Sequence, residues 1–140
     1  MNHFTTAFTL SKGVLDLTTT PSAKELTTLA MRGLSTQPGG YVIAVDFDGT
    51  LCESDWPNIG EAKNDVIEQL QLCRQCAIKI VLWTCREGEH LEKALKWCEE
   101  YEIKFDAVNA NTAERMAYYG NDIRKIGADE YWDDKAVAVG

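Results

Sequence analysis

The apolar run Tyr41-Val42-Ile43-Ala44-Val45, followed at once by Asp46-Phe47-Asp48-Gly49-Thr50-Leu51, constrains this chain more than any other stretch. The run is short, rich in β-branched residues and without polar alternation, which marks a strand buried on both faces, as in a parallel sheet covered by helices. Ligands bind such sheets outside the carboxyl ends of the strands, and this strand delivers two carboxylates there. Asp46 and Asp48 are expected to leave the strand end on one side, with Phe47 on the other. Gly49 permits a sharp turn that brings backbone N–H groups of the Gly49-Thr50 corner close to an anion. Clustered carboxylates repel each other unless a cation or a shared proton relieves them, so a hard divalent ion such as Mg2+ is expected. Taken alone, the segment also fits a plain polar turn, because Asp, Gly and Thr are ordinary turn residues. A Ca2+ loop does not fit, since the further oxygen ligands and terminal Glu are missing.

Strands and helices alternate through the rest of the chain. Residues 62–76 read as a helix that buries Val66, Leu70, Cys73 and Ala77 at helical spacing, and residues 89–101 as a second with Leu91, Leu95 and Cys98 on one face. Between them Ala77-Ile78-Lys79-Ile80-Val81-Leu82-Trp83-Thr84 is an apolar strand that ends in a hydroxyl. Phe105 to Asn109 reads as a short strand, and Asn111 with Glu114 as a capping box for another helix. A last short strand ends in the acidic pair Asp133-Asp134. This order predicts an α/β fold with a three-layer α/β/α, Rossmann-like parallel sheet and right-handed crossovers. A length of 140 residues allows one such domain.

The Asp46-x-Asp48-x-Thr50 pattern after an apolar strand resembles the first motif of the haloacid-dehalogenase-like (HAD) phosphohydrolases, and the match is complete. The resemblance implies Asp46 as the nucleophile that becomes an aspartyl phosphate and Asp48 as the general acid/base. An acid at position 48 favours phosphate-ester chemistry within that superfamily. Thr84 is similar to the second-motif hydroxyl that holds a phosphate oxygen. Lys125 and the Asp133-Asp134 pair resemble the third and fourth motifs, so Lys125 would neutralise charge on Asp46 and the phosphoryl group. The implied Mg2+ site is built from Asp46, Asp48 through its backbone carbonyl, Asp133 and Asp134. Gly49, Thr50, Arg86 and Trp56 are the implied substrate contacts. Arg86 would face the same opening, its planar fork suiting a phosphate or carboxylate, although a surface pairing with Glu87 or Glu89 fits as well. The resemblance covers roughly residues 41–140 and is to short capless members. No room is left for an inserted cap, so the site should be open, with only Cys52 to Gly60 as a small flap carrying Trp56. Trp56 packed against its own domain is an equal alternative. An open site suits large substrates or a homo-oligomer in which a neighbour covers the mouth.

Residues 1–40 form an N-terminal extension with no counterpart in the resemblance, either partly ordered against the exposed face of the sheet or flexible. Ser22 and Glu25 make a capping box for a helix, and Leu26, Leu29 and Leu34 give it something to bury. The first residues lack the basic and apolar regions of a signal peptide, and no apolar stretch reaches the length of a membrane span. The extension carries three basic and two acidic residues, which leaves eleven basic and twenty acidic in 41–140. Such an acidic domain would repel nucleic acid, so a small phosphorylated substrate approached through Mg2+ is the expected partner. Five cysteines without a disulfide framework suggest a reducing, cytoplasmic setting. Cys73-x-x-Cys76 lies inside a helix with no second pair, which argues against zinc. The expectation is a Mg2+-dependent phosphatase acting on a phosphate monoester; the alternative is a HAD-fold binding or regulatory module with weak catalysis.

Overall fold

The computed structural model describes residues 22–140. Its first element, α1 (Ala23–Gly33), opens with the expected capping box: the Glu25 N–H donates to Ser22 Oγ and the Ser22 N–H to Glu25 Oε1, both at 3.0 Å. Two donors that a helix start leaves unpaired are thereby satisfied. The central strand β1 (Val42–Val45) is at most 1% exposed at every residue. It pairs in parallel with β4 (Lys79–Leu82) on one side and β6 (Glu130–Trp132) on the other, while β5 (Ala107–Val108) pairs with β4, giving the order β5-β4-β1-β6. Val45 lies opposite both Leu82 and Trp132, so the residues that follow all three strands emerge at one end of the sheet.

Pleating divides the sheet's side chains between two faces. Val45, Ile80 and Leu82 meet Ile67 and Leu70 of α2 (Asn64–Gln75) and Ala94 and Cys98 of α3 (Gly88–Glu100). Ile43 on the same face meets Leu29 of α1 with Leu72 and Cys73. On the other face Val42, Ala44 and Val81 pack with Ile126. There Arg115 of α4 (Ala113–Tyr119), only 6% exposed, ties the entry and exit of the sheet together. Its guanidinium donates to the carbonyls of Pro38, Gly40 and Gly127 and pairs with Asp129 at 3.1 Å. Between β1 and α2 the chain makes a separate antiparallel hairpin, β2 (Cys52–Asp55) and β3 (Asn58–Ala62), with a cis Trp56-Pro57 bond at its tip. The hairpin spans the Cys52 to Gly60 stretch in which a small flap was expected. Among the described residues no helix is long and apolar enough to cross a membrane.

Several local expectations are corrected. Ala77 is exposed in a left-handed turn (φ 65°) beyond α2 rather than on its buried face, and Val66 is only half-buried; Ile67 and Leu72 take those places. In α1 only Leu29 is buried, at 2% exposure, whereas Leu26 (37%) and, just past the helix, Leu34 (79%) face solvent. Residues 22–40 thus belong in part to the fold, and the first 21 residues of the expected extension lie outside the described residues. The cap of α4 is Thr112, whose hydroxyl accepts from the Arg115 N–H, not Asn111. Asn111 is instead buried and bonds Asp122, Ile123 and Gly127, knitting the loop after α4 to the sheet. Glu130 of β6 is satisfied by Tyr41 Oη at 2.6 Å, Trp132 Nε1 at 3.0 Å and Arg32 at 3.0 Å. All five cysteines are free, and burial pushes the Cys73 thiol up to about 12, which fits a packing role rather than zinc.

Candidate metal centre and its flanks

Asp46 is pinned from both sides of the sheet: its own N–H donates to the Trp132 carbonyl at 2.9 Å, and the Trp83 N–H donates to the Val45 carbonyl at 2.8 Å. Its carboxylate meets those of Asp133 and Asp134, and one oxygen from each lies within 4.8 Å of the others. Burial pushes the Asp46 carboxyl up from 3.8 to about 6; the Phe47 N–H pulls it the other way, and Asp133, Asp134 and Asp48 add repulsion. The acidic pair is held by short-range bonds. Thr50 Oγ1 accepts from the Asp134 N–H at 3.1 Å, and Asp133 Oδ1 accepts from the Lys135 N–H at 2.9 Å. Gly49 (φ 83°) lets Asp134 in, because a Cβ there would overlap the Asp134 carboxylate.

Asp48 goes the other way. Both of its oxygens are taken by Arg86, with Nε donating to Oδ2 at 2.8 Å and Nη2 to Oδ1 at 2.7 Å. Arg86 is 2% exposed, its guanidinium lying 5.1 Å from the centre of the Phe47 ring and 5.0 Å from that of Trp56. Its remaining donors reach the Asn58 carbonyl at 2.9 Å and, at 3.4 Å, those of Pro57 and His90. Arg86 therefore does not face the opening, nor pair with Glu87 or Glu89; it clamps Asp48 to the hairpin tip. Trp56 remains 57% exposed while stacking on His90, with ring centres 4.7 Å apart, so it is packed on its own domain and still presents a face to solvent.

The remaining expected contacts are Gly49, Thr50, Thr84 and Lys125. The N–H groups of Gly49 and Thr50 are spent on the Cys52 and Phe47 carbonyls, because the turn closes on itself, so neither offers a free N–H to a ligand. Thr84 stands just past β4, its N–H donating to Asn109 Oδ1 at 2.8 Å and its hydroxyl accepting from the Arg86 N–H at 3.1 Å. Lys125 makes no ion pair among the described residues; its ammonium lies 5.4 Å over the Tyr131 ring, away from the expected contact with Asp46. A different cation, Lys63, stands beside the cluster, donating to the Gly49 carbonyl at 2.8 Å and sharing a cavity wall with Asp133 and Asp134. No sequence motif singles out Lys63, whose position depends on the hairpin returning the chain to the end of β1.

No protein-family model matches the chain, and no curated protein matches it. A solved structure of a conserved protein from Bacteroides thetaiotaomicron is similar to it, with a TM-score of 0.62 and 40% sequence identity over 69% of this chain and 77% of that one. The chain belongs to that protein's family. The likeness extends to the mixed α/β architecture with its mostly parallel four-stranded sheet flanked by helices.

Proposed function

We propose that the protein is a Mg2+-dependent phosphohydrolase of the HAD type that cleaves a phosphate monoester through an aspartyl phosphate. The observation that carries this reading is the convergence of Asp46, Asp133 and Asp134 on one point at the carboxyl end of a parallel sheet. Three hard oxygen donors with no cation among them suit Mg2+, which keeps several positions for water and phosphate. When bound, Mg2+ would supply charge neutralisation for the phosphoryl group. Asp46, fixed at its backbone by both neighbouring strands, is then the carboxylate that attacks phosphorus in line; the Asp46–phosphorus bond forms as the ester oxygen leaves with its electron pair. Asp48, having left Arg86 and taken up a proton from solvent, delivers it to that oxygen and afterwards takes one from the water that cleaves the acyl phosphate. To do so it must exchange Arg86 for the substrate, so Arg86 sets the resting position of the acid. Lys63 is a further candidate, with Lys125, for meeting negative charge near the turn.

The Arg86 clamp and the placement of Lys125 favour a second reading, a binding or regulatory module that keeps the metal site and turns over slowly. A panel of phosphate esters assayed with Mg2+ and with chelator separates the two. The phosphatase reading predicts Mg2+-dependent release of inorganic phosphate that Asp46→Asn abolishes. Release indifferent to chelation, or retained within a few-fold in Asp46→Asn, contradicts it.

A further inference from the structure

We propose that the cavity between α1, α2 and the end of β6 holds the organic part of the substrate, a planar heterocyclic group of nucleoside size. This rests on the phosphatase reading above. The cavity has a volume of about 600 Å3, within the usual range for small-molecule sites. Asp133 and Asp134 form one end of it, so a phosphate at the carboxylate cluster and a group in the cavity can belong to one molecule. Its apolar walls are Leu29, Val66 and Trp132, the last held in place by its indole N–H bond to Glu130 at 3.0 Å. The opposite flank of β1 is filled by Arg86, Trp56 and His90 packed on one another, which leaves the α1 side as the roomier approach.

Gln69 supplies the independent pointer to a ligand. It lines the cavity, is 6% exposed, and its buried Oε1 has no hydrogen-bond partner. An unmade bond at a buried amide oxygen is unfavourable, and a donor brought by a ligand removes that cost. A Gln amide sets an acceptor beside a donor, the arrangement that matches the edge of a nucleobase, while the apolar walls suit its faces. A bare sugar or amino acid would leave those walls unused. The cavity exists because α1 closes it, so specificity here comes from a helix outside the stretch that carries the catalytic motifs.

The test is calorimetric titration of the full chain in Mg2+ with adenosine, cytidine, guanosine and uridine 5′-monophosphates, with phosphoserine as the small comparator. At least one nucleotide should bind ten-fold or more tightly than phosphoserine. Thr28→Trp, placed on the exposed side of α1 so that the indole fills the cavity without disturbing the core, should weaken that binding at least ten-fold. Gln69→Leu should weaken it by a smaller but measurable factor, while Tyr118→Ala, outside the cavity, leaves it unchanged. Nucleotide binding no tighter than that of phosphoserine, or equal within two-fold in wild type and Thr28→Trp, overturns the proposal. Affinity for nucleotides and turnover are separate readouts, so the phosphatase reading fails on its own, by absence of Mg2+-dependent hydrolysis of p-nitrophenyl phosphate in the wild type.

Discussion

The two aspartates of one short turn live in opposite surroundings. Asp46 faces two more carboxylates, and its charge is opposed by burial and by its neighbours, so that its carboxyl is pushed up to about 6. Asp48, two residues on, has both oxygens on a buried guanidinium that is stacked between Phe47 and Trp56. The first flank gathers like charges and is unfinished in that sense, whereas the second is already complete. The difference shows how a single strand end separates a carboxylate made electrostatically costly by its neighbours from one already neutralised in an ion pair. It also assigns the hairpin its role: the tip carbonyls and Trp56 hold Arg86, and through Arg86 they hold Asp48.

The largest effect should come from breaking the complete flank. Arg86→Met leaves a half-buried carboxylate without its partner, and urea unfolding should show a loss of about 3 kcal/mol. Adding Asp48→Asn to it should recover a substantial part of that loss, since the uncompensated charge is gone. A loss under about 1 kcal/mol for Arg86→Met would mean that the hairpin side is held by other contacts. Arg86→Lys should not rescue the wild-type stability, because an ammonium cannot form the two parallel bonds.

The unfinished flank should respond in the opposite direction. Without metal, Asp46→Asn should raise stability at pH 7.5 by on the order of 1 kcal/mol, discounted for partial exposure. The sign follows from the raised carboxyl: its contribution is fully present below the unfolded value near 4 and is lost as pH rises through about 6. The gain from Asp46→Asn should therefore shrink as pH falls toward 4, and saturating Mg2+ should reverse it by stabilising only the wild type. Equal stability of the two proteins at pH 7.5 would remove the repulsion argument for the site.

The smallest expected effect sharpens the same point. Mg2+ must displace the proton on Asp46, so its apparent affinity should be flat above pH 7 and fall towards ten-fold per pH unit below about 6. An affinity unchanged between pH 7.5 and 5 would place the ion away from Asp46.

Much of the sheet was legible because its strands are nearly pure apolar runs. Val42–Val45 and Lys79–Leu82 needed no tertiary information, and the parallel direction of the sheet followed from alternation with helices, whereas the grouping of Asp46 with Asp133 and Asp134 rested on the motif resemblance. The Ser22 box was legible because it is local. What stayed hidden depended on contacts between distant segments. Arg86 has Glu87 and Glu89 nearby in sequence, yet the fold gives it Asp48, and burial among aromatic rings decides between them. Leu26, Leu29 and Leu34, in and just past α1, looked equivalent until the direction in which the helix docks left only Leu29 inside. Gly49 suggested free N–H groups, but the turn consumed them in closing. Lys63 and Gln69 carry no motif, and each gains meaning only from the cavity beside the acidic cluster.

The most direct test of the account is 19F NMR of the protein with beryllofluoride, a phosphoryl mimic that bonds to a nucleophilic carboxylate. The account predicts bound fluoride resonances in the wild type that require Mg2+, vanish on chelation and are absent in Asp46→Asn. No bound signal in the wild type, or one that survives Asp46→Asn, would contradict Asp46 as the phosphoryl acceptor at a metal centre.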